Sequence, residues 1–108
     1  MRRGATPTYT IEDTDVVFSQ VDDVVLSFVQ KDSDGNVTHS LFLLMSQDRV
    51  HKDTENETFY ATLTQAETLK FNKGSVRIQY EFKMTDGTVM TSDITKEQVY
   101  DVQYDKVI

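Results

Sequence analysis

Apolar and polar residues alternate along much of this chain with a period of two. In "SVRIQYEFK", Val76, Ile78, Tyr80 and Phe82 alternate with Arg77, Gln79, Glu81 and Lys83. That pattern predicts a strand with one face in a core and the other toward solvent. "DVVLSFVQK" predicts a second such strand: Val24, Leu26 and Phe28 point one way, Val25, Ser27 and Val29 the other. "VTHSLFLLM" predicts a third. "TFYATL" resumes the alternation with Phe59, Ala61 and Leu63 on one face, and Thr8 to Ile11 predicts a short first strand. The most polar stretch, "SQDRVHKDTENET", predicts a loop holding a short edge strand around Val50. "KEQVYDVQYDKVI" closes the chain as a last strand, or as a helical turn at Glu97 to Tyr100 with a tail.

Turn chemistry connects these segments. "KDSDGN" supplies a hairpin turn in which Gly35 takes a left-handed conformation at no steric cost. The register beyond it stays open. A two-residue turn sets Leu41, Leu43 and Met45 against Phe28, Leu26 and Val24, whereas a three-residue turn selects Ser40, Phe42 and Leu44. "TDG" predicts a three-residue loop of Thr85, Asp86 and Gly87. That loop pairs Phe82 with Met90, Tyr80 with Ser92 and Ile78 with Ile94. In "TQAETLKF", Thr64 and Glu67 form a capping box that starts one or two helical turns, with Leu69 and Phe71 facing inward and Gly74 as the stop.

Six or seven short strands (about that many), two hairpins and one helical turn predict an all-β fold. The expected architecture is a single antiparallel β-sandwich, immunoglobulin-like in topology, with one short helical turn near residues 65–70. Residues 1–6 are expected as a flexible leader and residues 7–108 as one domain, a size that buries a core without staples. The Cys…Trp…Cys core of antibody domains has no counterpart, because the chain contains neither residue type.

Composition narrows the function classes. A formal net charge of −7 disfavours binding to nucleic-acid phosphates. The longest apolar run, Leu41 to Met45, is strand-sized, so no membrane span is expected. Arg2 and Arg3 are followed by polar residues rather than the apolar region of a secretory signal, which points to a cytoplasmic product or one assembled there. His39 and His51 lack metal partners at ligand spacing, and "DSDG" lacks the first and last ligands of a calcium loop. No G-x-S-x-G, G-x-G-x-x-G or phosphate loop occurs. The expectation is a non-enzyme with no cofactor, no metal and no small-molecule substrate.

The residues that point to a partner are apolar. Val25 and Val29 lie opposite the Val24, Leu26, Phe28 face, and the third strand carries large apolar residues on both parities. A small sandwich covers one face of each sheet, so a strand apolar on both faces suggests docking or self-association. Val25, Val29, Leu41 and Leu43 are the candidate contacts, together with Arg2 and Arg3, which are expected to pair with carboxylates on a neighbouring subunit.

"RRGATPTYTI", "DVVLSFVQK", "LTQAETLKF" and "GSVRIQYEFKMTDGTVMTSDI" together resemble small proteins encoded in prophages of Gram-positive bacteria. Those carry an R-R-G-[ST]-T-P-T leader, an L-T-Q-E-[ED]-T-L-x-F segment and a T-x-D-G-x-x-x-x-S-[DN]-I hairpin. The chain departs from them at Ala5, at Ala66 and in a longer polar insert from Ser46 to Thr58. The shared motifs are structural, so no site residue carries over. The resemblance implies a non-enzymatic structural or accessory protein of a phage tail or baseplate. It would meet other phage structural proteins or itself, in the host cytoplasm during assembly and then in the virion. Two other classes stand beside it. A carbohydrate- or surface-binding module would use exposed aromatics such as Tyr60, Tyr100 and Tyr104, and an acidic inhibitor of a host factor would use the negative charge.

Overall fold

Two eleven-residue strands carry the fold, β2 (Val21–Lys31) and β6 (Gly74–Met84), paired antiparallel with Phe28 opposite Ile78 and Leu26 opposite Tyr80. In the computed structural model, which describes residues 1–108, six other strands and one α-helix arrange around them, with single 3-10 turns at Phe18–Gln20 and Met45–Gln47. The strands and helix are β1 (Thr8–Ile11), β3 (Val37–Leu44), β4 (His51–Asp53), β5 (Thr58–Thr62), α1 (Gln65–Leu69), β7 (Val89–Thr91) and β8 (Thr95–Val99). One sheet has the order β1-β5-β4. The other has the order β3-β2-β6-β7, with β8 continuing along the same strand β6. The chain is therefore an all-β, antiparallel sandwich. Its strand orders match the B-E-D and C′-C-F-G arrangement of immunoglobulin-like domains. No helix is long and apolar enough to cross a membrane.

The core lies between the inner faces. Val24, Leu26 and Phe28 from β2 meet Phe59, Ala61 and Leu63 on and after β5, with Val76 and Phe82 from β6. Each is almost fully buried, as the alternation predicts. Aromatic rings tie the layers: Tyr9 meets Phe28 edge-on with centroids 5.1 Å apart, and Phe59 lies 5.4 Å from Phe82. α1 starts at the expected capping box, where Thr64 accepts from the Glu67 N–H and Glu67 from the Thr64 N–H. Arg49 adds a two-pronged ion pair to the same carboxylate, at 2.6 and 2.9 Å. Burial pushes the Glu67 pKa up, but these hydrogen bonds outweigh it and hold the carboxyl below its usual range. α1 ends at Leu69, and Gly74, expected to stop it, instead opens β6 with φ of 137°.

Both hairpins refine the expected registers. At the β2–β3 tip the Asp32 N–H donates to Asn36 O, and Gly35 takes φ of 82°, so the tip is a three-residue turn. An irregularity between Gln30 and Lys31 then shifts the ladder by one residue. Phe28 faces Leu41 and Leu26 faces Leu43, the register of the two-residue alternative. The Thr85–Gly87 loop forms as expected, with Phe82 opposite Met90 and the Ser92 N–H bonded to Tyr80 O. The pairing of Ile78 with Ile94 does not form. Ile78 faces Thr95, and Ile94 is exposed. The Ser92 hydroxyl accepts from the Tyr80 N–H, so a side chain replaces a backbone partner there and one extra residue enters the edge strand.

Gln30 is the buried polar residue on the inner face of β2. Its amide donates to Asn72 O at 2.7 Å and accepts from the Asn72 N–H at 2.8 Å. It thereby imitates a strand partner for the segment between α1 and β6. Gln30→Leu leaves both Asn72 groups unpaired, and we expect it to lower stability by about 1–3 kcal/mol in urea unfolding. A change within error would show that water satisfies Asn72 equally well.

His39 points inward from β3 and meets Phe71 edge-on at 4.7 Å, with its Nε2 buried and unpartnered. Burial, aided by the Lys70 charge, lowers its pKa. Above the unfolded-state pKa of about 6.5 the imidazole is neutral in both states. As pH falls below that value the unfolded chain takes the proton first, so stability is lost until the folded-state pKa has been passed. The fall in the urea midpoint between about pH 7.5 and about pH 5 is expected to be smaller in His39→Phe than in the parent chain. Equal falls would remove His39 from the acid response.

Candidate interaction surface

Because Val24, Leu26 and Phe28 face inward, Val25, Ser27 and Val29 must face outward, and the ladder aligns them with neighbours on both sides. Val29 lies between Ser40 and Arg77, Ser27 between Phe42 and Gln79, and Val25 between Leu44 and Glu81. Each of these rows crosses three strands on the outer face of the five-stranded sheet. Phe42 is 54 % exposed, while Val25, Val29 and Leu44 are half-buried. A hollow of about 160 Å³ opens on this face between Ser27, Val29, Lys31, Arg77, Gln79 and Ile94. Ser27 Oγ donates to Gln79 O, and Gln79 Nε2 donates to Ser92 O, so the middle row is internally bonded.

The candidate residues separate at this point. Val25 and Val29 are on the outer face as expected. Leu41 and Leu43 are not: Leu43 is 1 % exposed, and Leu41 packs half-buried against the core. The register of Phe28 with Leu41 turns odd-numbered residues of β3 inward and even-numbered ones outward. The outward apolar residues of β3 are therefore Phe42 and Leu44. Sequence periodicity alone could not choose between the parities, since both are apolar.

The structure places residues 1–6, expected as a flexible leader, against α1 and the end of β8. Arg2 forms a parallel bridge with Tyr100, and the Arg3 N–H donates to Tyr100 O. Arg3 does not reach outward. Its guanidinium donates to the carbonyls of Phe71 (2.8 Å) and Leu69 (3.1 Å) and pairs with Asp101 at 2.6 Å. Leu69 O belongs to the last turn of α1 and Phe71 O lies just beyond it, where backbone acceptors have no helical partner. Gly4, with φ of 79°, donates from its N–H to Thr68 Oγ1, and Thr68 donates to Ala5 O. Arg2 lies over the Tyr100 ring at 5.4 Å and donates to Asp101 O.

No group of three or more His, Asp or Glu side chains is placed to hold a metal ion. Of the aromatics considered for a sugar platform, Tyr60 lies on β5, whereas Tyr100 and Tyr104 follow β8; all three are exposed.

Arg3→Ala is expected to lower stability by about 1–3 kcal/mol, because it strips partners from two carbonyls. Arg2→Ala, at the surface, is expected to change stability by less than about 0.5 kcal/mol. Urea unfolding of the two variants side by side checks the contrast, and equal effects would refute the assignment of Arg3 to this chain's own fold. Against protein-family models and curated proteins, the sequence has no match.

Proposed function

We propose that this chain is a non-enzymatic phage structural or accessory protein, a tail- or baseplate-associated module that works by protein–protein contact. The observation that carries the reading is the outer sheet face. Val25, Val29, Phe42 and Leu44 form an apolar surface on a sheet whose other face is already filled by the core. An antiparallel sheet exposed on one side ordinarily turns polar residues to water. Apolar residues clustered on that side favour a partner.

The phage assignment rests on the resemblance of the leader, the capped turn and the Thr85–Gly87 hairpin to prophage-encoded proteins. Those same three stretches do structural work here. The leader bonds to α1, the capping box begins α1, and the hairpin turns β6 into β7. In this reading the chain is made in the host cytoplasm and then joins the particle.

The test is proteomic. Virions purified after prophage induction are expected to contain this chain, in the tail fraction after particles are split. Its absence from particles that carry their full set of tail proteins would overturn the phage structural reading.

A further inference from the structure

The outer face carries a charge pattern as well as apolar residues. Along β2 the outward residues are Lys31, Val29, Ser27, Val25 and Asp23. Along β6 they are Ser75, Arg77, Gln79, Glu81 and Lys83. In both runs the charges nearest the centre change sign across it, Lys31 against Asp23 and Arg77 against Glu81, with Lys83 beyond Glu81 at the end of β6. The centres coincide, because Ser27 and Gln79 are direct cross-strand partners, and Phe42 extends the same row onto β3. Neither Arg77 nor Glu81 has an ion-pair partner within the chain. Arg77 instead stands opposite Lys96, a like-charged pairing that is unfavourable in an isolated sheet.

We propose that this face is an isologous interface between two copies of the chain, related by a two-fold axis that runs along the row Phe42, Ser27, Gln79. The proposal deepens the reading above by naming the partner. A rotation about that row lays each strand over its own copy in reverse. Arg77 then covers Glu81 of the partner subunit, and Lys31 covers Asp23 of the partner subunit. Val29 covers the partner's Val25, and Phe42 meets the partner's Phe42. One oxygen of Asp23 already accepts from the N–H groups of Val24 and Ser46, and Lys83 stands directly opposite Asp23 on β6, so the partner's Lys31 shares this carboxylate with Lys83.

The remaining cations each meet a carboxylate or a neutral residue across the axis, with Lys83 and the partner's Lys31 flanking the one Asp23 carboxylate. The row of Arg77 and Lys96 falls on the row of Glu81 and Thr91, so Lys96 approaches Thr91 beside a carboxylate. Lys83, two residues beyond Glu81, falls over Ser75. Two-fold symmetry about the strand direction is unfavourable, placing Arg77 on Arg77 for an axis along β6 and Lys31 on Lys31 for an axis along β2. Sheets packed face to face cross at about 30°, which displaces the Arg77–Glu81 pairs, two residues from the axis, by only a few Å and the Lys31–Asp23 pairs, four residues from it, by about 7 Å. Long Arg and Glu side chains span the smaller offset.

Strand spacing and rise give the face an area of about 500 Å² per copy, at the small end of specific interfaces. The dimer is therefore expected to be weak, with a dissociation constant in the range of about 10–100 μM, and to weaken with salt.

Sedimentation equilibrium of the intact chain from about 5 to 500 μM at low salt reads the association directly. Glu81→Arg and Arg77→Glu each place like charges together twice per dimer and are expected to weaken it at least about tenfold. The double variant Arg77→Glu/Glu81→Arg restores opposite charges across the axis, and the dimer is expected to return. Phe42→Glu sets two carboxylates against each other on the axis and is expected to abolish it. Circular dichroism of each variant checks that the fold is kept. A chain that is monomeric throughout overturns the proposal, as does a dimer indifferent to the single reversals, which would pair through another surface. A double variant no better than the singles overturns it too. This test is separate from that of the phage reading: a monomeric chain found in virions removes the two-fold interface alone, and a dimer absent from virions removes the phage assignment alone.

Discussion

The parity of β2 is the constraint on which the rest depends. Strand side chains alternate with a period of two, so placing Phe28 inward fixes the facing of every residue from Asp23 to Lys31. A slip of one residue would put Val25, Ser27 and Val29 in the core and expose Leu26 and Phe28. The cost would be large, since burying a Leu or Phe side chain is worth about 1.5–3 kcal/mol. β2 sits between β3 and β6, so both neighbours inherit its register. The inner face becomes the core, and the outer face inherits a defined order of apolar and charged residues. Core and surface pattern are two consequences of one choice.

Polar side chains then close the places where strands cannot bond. Gln30 stands in for a strand partner of Asn72. The Ser92 hydroxyl stands in for a backbone acceptor opposite Tyr80. Glu67 joins the start of α1 to Arg49 on the loop before β4, and Arg3 covers carbonyls at and just beyond its end. At Gln30, Ser92 and Arg3 a part-buried backbone group would otherwise lack a partner, which is costly away from water. α1 is too short to be stable by itself, and it is held by residues from distant parts of the chain.

What the sequence made legible was local. The alternation on β2, β5 and β6 identified the inward residues, because it depends only on neighbours two apart. The Thr64–Glu67 box and the Thr85–Gly87 loop were legible for the same reason, since both are contacts within three or four residues. The β2–β3 register needed more. The tip is a three-residue turn, but the irregularity beside Lys31 restores the register of a two-residue one, and turn chemistry does not foresee it. The exposure of Ile94 depends on a hydroxyl meeting a strand twelve residues away. The docking of Arg3 spans the chain from its first residues to Asp101, and nothing in "MRRGATP" announces a partner near residue 100. The charge pattern of the outer face was present in the sequence all along, but Ser27 and Gln79 become one centre only once β2 and β6 are paired.

The edges of the two sheets bear on what the outer face can do. β1 has four residues, β4 has three, and the edge formed by β7 and β8 is interrupted after Thr91. Short and broken edges resist pairing with other chains. β3 is longer, eight residues without a charged side chain. Its end is occupied, because Leu44 O accepts from the Arg49 N–H. Since antiparallel backbone groups alternate in direction, those of Phe42 and Ser40 turn, like Leu44 O, toward the open side. The open backbone and the exposed Phe42 ring thus lie at one corner of the same face. Elsewhere a net charge of −7 makes chance contacts between copies repulsive. Attraction between copies would need cations and carboxylates to face each other across a common centre, and on this sheet face Arg77 and Glu81 lie at equal distances on either side of Gln79.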